Sequence, residues 1–157
     1  RSSDLVILYD AQFVDQAGNT EIKSAVLQLE THVFSQQARM RKLIKDYGTR
    51  LMVWGLLAQG TYRIFTNETL KNIGAKYGKT STQVVLNFLT GEGIVAIPKS
   101  VHTLRMTENL DIESFELTET GWKMIRKLDT GLLKVDFNDP AMVKYLLEYN
   151  KNFNPGN

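Results

Sequence analysis

Apolar positions along the chain follow two rhythms. Short unbroken apolar runs alternate with stretches in which apolar residues recur every three to four positions. Residues 25–30 (Ala-Val-Leu-Gln-Leu-Glu) read as a short strand. Phe34 to Tyr47 reads as a helix, with Met40, Leu43, Ile44 and Tyr47 on one face, stopped by Gly48. Leu51-Met52-Val53-Trp54 is the next strand and ends at Gly55, and residues 56–65 form a loop. Asn67 caps a helix through Tyr77, which Gly78 ends. Thr80 or Ser81 caps another that turns Val84, Val85, Phe88 and Leu89 inward. Gly91 and Gly93 close it before a strand at 94–97. Helices follow at 103–109 and 118–128, with a looser one at 139–149 and a polar tail after it. Residues 5–9 (Leu-Val-Ile-Leu-Tyr) are a strand or a short helix; the run is too short for periodicity to choose.

Strands that alternate with helices imply an α/β fold with parallel strands and crossover helices. The 157 residues suffice for a single domain, 1–157, with a real core. Hydrophobic residues make up 43% and charged residues 23%, a globular balance. A net charge of +2 gives no reason to expect nucleic acid. The chain has no cysteine, which excludes a disulfide scaffold, thiol catalysis and cysteine-ligated metals. No apolar run reaches the ~18–20 residues of a membrane span, and no signal peptide opens the chain, so a cytoplasmic protein is expected. The start at Arg1 rather than Met suggests a partial chain.

Candidate chemistry concentrates in residues 94–109. An apolar strand runs into Pro98-Lys99-Ser100, and a helix carrying Arg105, Glu108 and Asn109 begins just after. A strand end, a cationic turn and a fresh helix N-terminus favour an anion, so this segment is read as a place for a phosphorylated nucleotide.

Four motifs in order carry a family resemblance. Val26-Leu27-Gln28-Leu29-Glu30-Thr31-His32, Trp54-Gly55-Leu56-Leu57-Ala58-Gln59-Gly60, Ile97-Pro98-Lys99-Ser100 with Arg105 and Glu108-Asn109, and Leu117-Thr118 leading to Leu128-Asp129-Thr130-Gly131 resemble aldo-keto reductases, in the flavour of the microbial diketogluconate reductases. The match runs over residues 22–131 and leaves 132–157 as a C-terminal tail. The resemblance implies a (β/α)8 TIM barrel, of which these are strands six to eight with their helices. A whole barrel takes about 250 residues, so the expectation is the C-terminal half. One alignment makes Asp4 to Tyr9 the helix before strand six, followed by an insertion near Gln12 to Thr20; spacing favours it. The other makes residues 4–8 strand four, with strand five missing.

By resemblance, the activity is NADP(H)-dependent reduction of aldehydes and ketones to alcohols. The family's catalytic Tyr, Lys, Asp and His come from the first half of the barrel, and no segment here matches their motifs. Tyr9 stands at the His position only under the second alignment, and a packed tyrosine is the plainer reading. The chain alone is therefore expected to be inactive. The cofactor half is better represented: Gln28 to the nicotinamide carboxamide, Trp54 to the nicotinamide ring, and Gly55, Leu57, Gln59 and Gly60 to the pyrophosphate. Lys99, Ser100, Val101 and Arg105 would surround the adenosine 2′-phosphate, and Glu108 and Asn109 the adenine. Two cations about one dianion favour NADP over NAD. Leu56 stands where the family commonly has Pro, and the strand-five Ser-Asn pair that grips the carboxamide is missing, so weak binding is expected.

His32 and His102 lack metal-ligand spacing and read as surface or loop residues. Arg39-Met40-Arg41-Lys42 with Lys45 reads as a solvated helix face. An alternative function is a non-catalytic NADP-binding or self-associating half-barrel, because open parallel edges and an apolar inner wall invite a homo-oligomer. Asp136 to Tyr149, with Phe137 and Tyr145 as apolar contacts, is a candidate either to cover the site or to pack on the outer helices. Nothing names the substrate among small carbonyl compounds.

Overall fold

The computed structural model describes residues 5–6, 10–60, 63–135, 139–142, 144–145 and 148. Strand β1 (Leu5–Val6) leads into helix α1 (Asp10–Asn19), then β2 (Val26–Glu30), α2 (Ala38–Lys45) and β3 (Arg50–Trp54). Two short 3-10 turns, Ala58–Gly60 and Ile64–Thr66, precede α3 (Glu68–Ala75), α4 (Ser81–Gly91), α5 (Thr103–Leu110) and α6 (Glu119–Arg126). The sheet order is β1-β2-β3, all parallel, with Leu5 opposite Val26 and Gln28 opposite Met52. Parallel strands separated by single helices are what a piece of a (β/α)8 barrel contains.

Side chains alternate across the strands. On one face Leu27, Leu29, Leu51 and Val53 are at most 3% exposed and join one core with Met40 and Ile44 of α2, Leu70 and Ile73 of α3, and Val84, Val85, Phe88 and Leu89 of α4. The opposite face, with Val26, Gln28, Met52 and Trp54, is only half-buried. One face is thus sealed by helices and the other is left open.

The start of the chain differs from the favoured alignment. Residues 5–6 are strand, and the stretch read as an insertion, Gln12 to Thr20, is mostly helix α1. Its cause is an apolar stripe: Phe13 and Ala17, four apart, are both buried, and Phe13 sets its ring edge-on to Tyr47 at 5.4 Å. Joined to β2 by one helix and paired with it, β1 takes the place immediately before β2, so the strand beside β2 is not missing. Tyr9 lies outside the described residues.

Residues 94–97 form less strand than their apolar run predicts. Val95 alone bridges Met52, its N–H donating to Leu51 O at 2.9 Å and its O accepting from Val53 N at 2.9 Å. Pro98 has no N–H to extend the ladder, and Ile97 is 59% exposed. Helix α2 begins four residues later than its periodicity suggests. His32 and Ser35 exchange backbone hydrogen bonds of 3.0 and 2.9 Å, and Gln37 sits at φ 51°, outside helical space. The buried Gln36 amide holds this turn by donating to Val33 O and Ile125 O at 2.8 and 2.9 Å.

The helix caps follow the sequence closely. Asn67 Oδ1 accepts from Leu70 N at 3.1 Å, and Thr80 forms a reciprocal capping box with Gln83. In the tail, Pro140 to Met142, Lys144, Tyr145 and Glu148 have helical backbone. Phe137 lies outside the described residues, and Tyr145 is 61% exposed.

Candidate functional site

Strands β2 and β3 end side by side at register partners Glu30 and Trp54. Beyond Trp54 the chain turns at Gly55, whose φ of 68° favours glycine. The segment Gly55 to Leu57 then forms one wall of a cleft of about 600 Å³. The start of α4 at Thr80 to Thr82, the turn from Ile97 to Ser100 and the α5 residues Arg105, Glu108 and Asn109 form the others, with Phe65 at the rim.

Seven residues singled out from the sequence therefore meet in one place: Gly55, Leu57, Lys99, Ser100, Arg105, Glu108 and Asn109. They arrive there from two segments more than forty residues apart, because Val95 adds the 94–97 segment to the β3 edge.

The electrostatics suit an anion. Lys99 and Arg105 are exposed, and among the described residues neither forms an ion pair. Arg39, Arg41, Lys71, Lys79, Lys123 and Arg126, by contrast, all have carboxylate partners. Helices α3, α4 and α6 are closed by side-chain caps, whereas α2 and α5 have none, α5 following His102. Its first N–H groups are left for a ligand or solvent. Ser100 Oγ accepts from His102 N at 3.1 Å, which holds the turn leading into α5.

Gln28, Trp54, Gly60 and Val101 do not line this cleft, and the Gln59 side chain lies outside the described ones. Gln28 and Trp54 occupy the half-buried sheet face; among the described residues Gln28 makes no side-chain hydrogen bond and Trp54 stacks on no other ring. Gly60 closes the first 3-10 turn, and Gln59 precedes it there. Val101 is 82% exposed and does not line this cleft. Among the described residues no cluster of three metal-ligating side chains occurs.

The expectation of a surface or loop His32 holds for the loop alone: it lies in the turn after β2, but its ring is fully buried rather than at the surface. Its Nδ1 accepts from Phe34 N at 3.2 Å, and its Nε2 lies 3.4 Å from Glu30 Oε1. Burial pushes the His32 pKa below its ordinary value, against the opposing pull of the Glu30 carboxylate. Glu30, only 1% exposed, was not singled out from the sequence. The signal was present: in Gln28-Leu29-Glu30 two polar residues alternate about a buried leucine, which places both on the open face.

Comparison with known proteins shows the family. Residues 8–130 match the aldo/keto reductase family. The chain belongs to that family. It is 37% identical over 142 residues to an NAD(P)H-dependent D-xylose reductase of Scheffersomyces stipitis, covering 83% of this chain and 44% of the relative. It is 32% identical over 120 residues to a methylglyoxal reductase of Escherichia coli K12, covering 76% and 42%. Among solved structures, an aldo-keto reductase from a Medee basin deep-sea metagenome library superposes with a TM-score of 0.80 at 29% identity, over 85% of this chain and 50% of that one. A silkworm (Bombyx mori) aldo-keto reductase complexed with NADPH gives a TM-score of 0.78 at 26% identity, over 97% and 48%. The chain spans less than half the length of the curated relatives it matches.

Proposed function

We propose that this chain is the cofactor-binding, C-terminal half of an NADP(H)-dependent carbonyl reductase. In this reading β1, β2, β3 and the 94–97 segment are strands five to eight of the barrel. The 2′-phosphate of NADP sits between Lys99, Ser100 and Arg105, at the uncapped start of α5. Glu108 and Asn109 face the adenine, and Gly55 and Leu57 pass beside the pyrophosphate. Gln28 holds the nicotinamide carboxamide and Trp54 supports its ring on the half-buried sheet face. Gly60 and Val101 do not line the cleft and are secondary contacts in this reading, and Gln59 is kept as a pyrophosphate contact. The observation that carries it is the convergence of Lys99 and Arg105, both without carboxylate partners among the described residues, on one cleft with Gly55 and Asn109.

The chain supplies a place to bind and orient the dinucleotide, which carries the hydride. The protonating tetrad belongs to the other half of the barrel, so reduction of an aldehyde or ketone needs that half. A cytoplasmic setting fits this role, and no described helix is long and apolar enough to cross a membrane.

NADPH and NADH fluorescence titrations at low salt test the cofactor site. Two exposed charge-assisted contacts at about 1 kcal/mol each give NADPH a roughly 30-fold advantage over NADH. The Lys99→Ala, Arg105→Ala double variant should erase that advantage while leaving NADH binding unchanged. Equal loss for both nucleotides would remove the 2′-phosphate assignment.

The half-exposed face of Val26, Gln28, Met52 and Trp54 favours a second reading. Two copies pairing β1 of one with residues 94–97 of the other would close eight strands about a twofold axis. Light scattering after size exclusion tests it: a compact 17.9 kDa species counts against it.

A further inference from the structure

We propose that Glu30 is a positioning residue: its carboxylate buckles the segment following α6 across the strand ends beside Trp54, making one wall of the carbonyl pocket. The wall rests on reading Trp54 as the nicotinamide support; the buckle does not.

Residues 129–135 are tied to the end of β2 at several points. Thr130 N and Thr130 Oγ1 donate to Phe34 O at 2.9 and 3.0 Å. Asp129 Oδ1 accepts from Gln36 N at 3.3 Å and from Gly131 N at 3.1 Å. At the far end, Lys134 N donates to Glu30 Oε1 and Val135 N to Glu30 Oε2, both at 2.9 Å. One buried carboxylate thus offers each oxygen to a successive main-chain amide more than a hundred residues away.

The surroundings hold that carboxylate in place. His32 lies against Oε1, and Gly55, without a side chain, passes close by: a Cβ there would sit 3.6 Å from Glu30 Cγ. Because Glu30 and Trp54 are register partners on adjacent strands, they are about 4.8 Å apart across the sheet, and the alternation puts them on one face. The buckled amides therefore end next to the indole, on the open side of the sheet. Binding through main-chain amides fixes the path of this segment without using the side chains of Leu133 and Val135, which are half-buried and define the wall.

Amide hydrogen exchange on the full chain tests the buckle in the Glu30→Gln variant, whose carboxamide keeps one acceptor oxygen and turns an NH2 toward the other amide. Lys134 and Val135 should exchange at least ~10-fold faster, while the core amides of Leu29, Val53 and Leu89 keep their protection. The Trp54 indole N–H resonance should shift and that of Trp122 should not. Val135→Pro, which removes a donor and leaves the carboxylate, should speed exchange at Lys134 in the same way and covers a failure of the first variant to fold. Unchanged exchange at Lys134 and Val135, equal acceleration of the core amides, or a stationary Trp54 resonance would each overturn the proposal. NADPH titrated into the same samples separates the two readings. No binding to the wild type would undo the nucleotide assignment, and with it the carbonyl wall, but leave the exchange result standing.

Discussion

Replacing Glu92 by Ala should remove the clamp that fixes the start of the 94–97 segment. Glu92 caps α4 and is 12% exposed in its side chain. It accepts from Arg41 Nη2 of α2 through Oε2, and from Arg126 Nε and Nη2 of α6 at 3.1 and 2.8 Å through Oε1. Three helices therefore meet at one carboxylate, two residues before Ile94. The Arg41 contact is largely buried and, as a hydrogen bond between charged groups, is worth about 1.5–3 kcal/mol. Arg126 is 55% exposed, so solvent screening cuts its share to roughly 0.5 kcal/mol. The expected loss is about 2–3 kcal/mol, or roughly 4–12 °C in Tm for a domain of this size. Urea unfolding of Glu92→Ala, Arg41→Ala and the double variant measures it, with a coupling of about 1–2 kcal/mol expected between the two sites. The pH dependence adds a second check. Burial works to raise the Glu92 pKa, but hydrogen bonds from Arg41 and Arg126 outweigh it and hold it below its ordinary value of 4.5. A carboxyl with a depressed folded pKa contributes stability above its unfolded pKa and loses it as pH falls through the folded one. Wild type and Glu92→Ala should therefore converge in stability below pH 4.5. A loss under about 0.5 kcal/mol at neutral pH, or no convergence in acid, would refute the clamp.

Other perturbations read other parts of the structure. In Gly74→Ala the new Cβ would collide with the main-chain O and C of Lys79, which cannot swing away, so a loss of about 2–4 kcal/mol is expected in thermal unfolding. Thr80→Ala removes the side-chain half of the α4 capping box and should cost about 1 kcal/mol in urea unfolding. Burial lowers the His32 pKa in the folded chain, so the unfolded chain takes up the proton first. Stability should fall as pH drops through 6.5, and His32→Gln should flatten that part of the profile. NADPH affinity should weaken with added salt in the wild type and much less in the Lys99→Ala, Arg105→Ala variant.

Local signals were legible where one chemistry decided them. Asn67 and Thr80 were readable as caps because a side-chain oxygen next to an apolar-periodic run has one good use. The two strands with Gln28 and Trp54 were readable because short apolar runs ended at polar residues or glycine. The meeting of Lys99, Arg105, Gly55 and Asn109 in one cleft was legible only through family resemblance, since residues 55 and 99 are joined by a single bridge at Val95. What escaped depended on contacts distant in sequence. Gln36 is held by Ile125 and Glu30 by Lys134 and Val135, and no window of neighbouring residues contains those pairs. His32 escaped for another reason: nothing in its local pattern separates a buried imidazole from an exposed one, although its contacts with Glu30 and Phe34 are local. Strand β1 was ambiguous because two described strand residues have no period; α1 after it, with Phe13 and Ala17 inward, carried the information instead.

The central claim is that Lys99 and Arg105 hold the 2′-phosphate of NADP, and phosphorus NMR of NADP+ observes that phosphate directly. Adding the chain at low salt should shift and broaden the 2′-phosphate resonance, and the Lys99→Ala, Arg105→Ala variant should return it to the free position. A 2′-phosphate signal that stays at its free position while the pyrophosphate signals move would contradict the account.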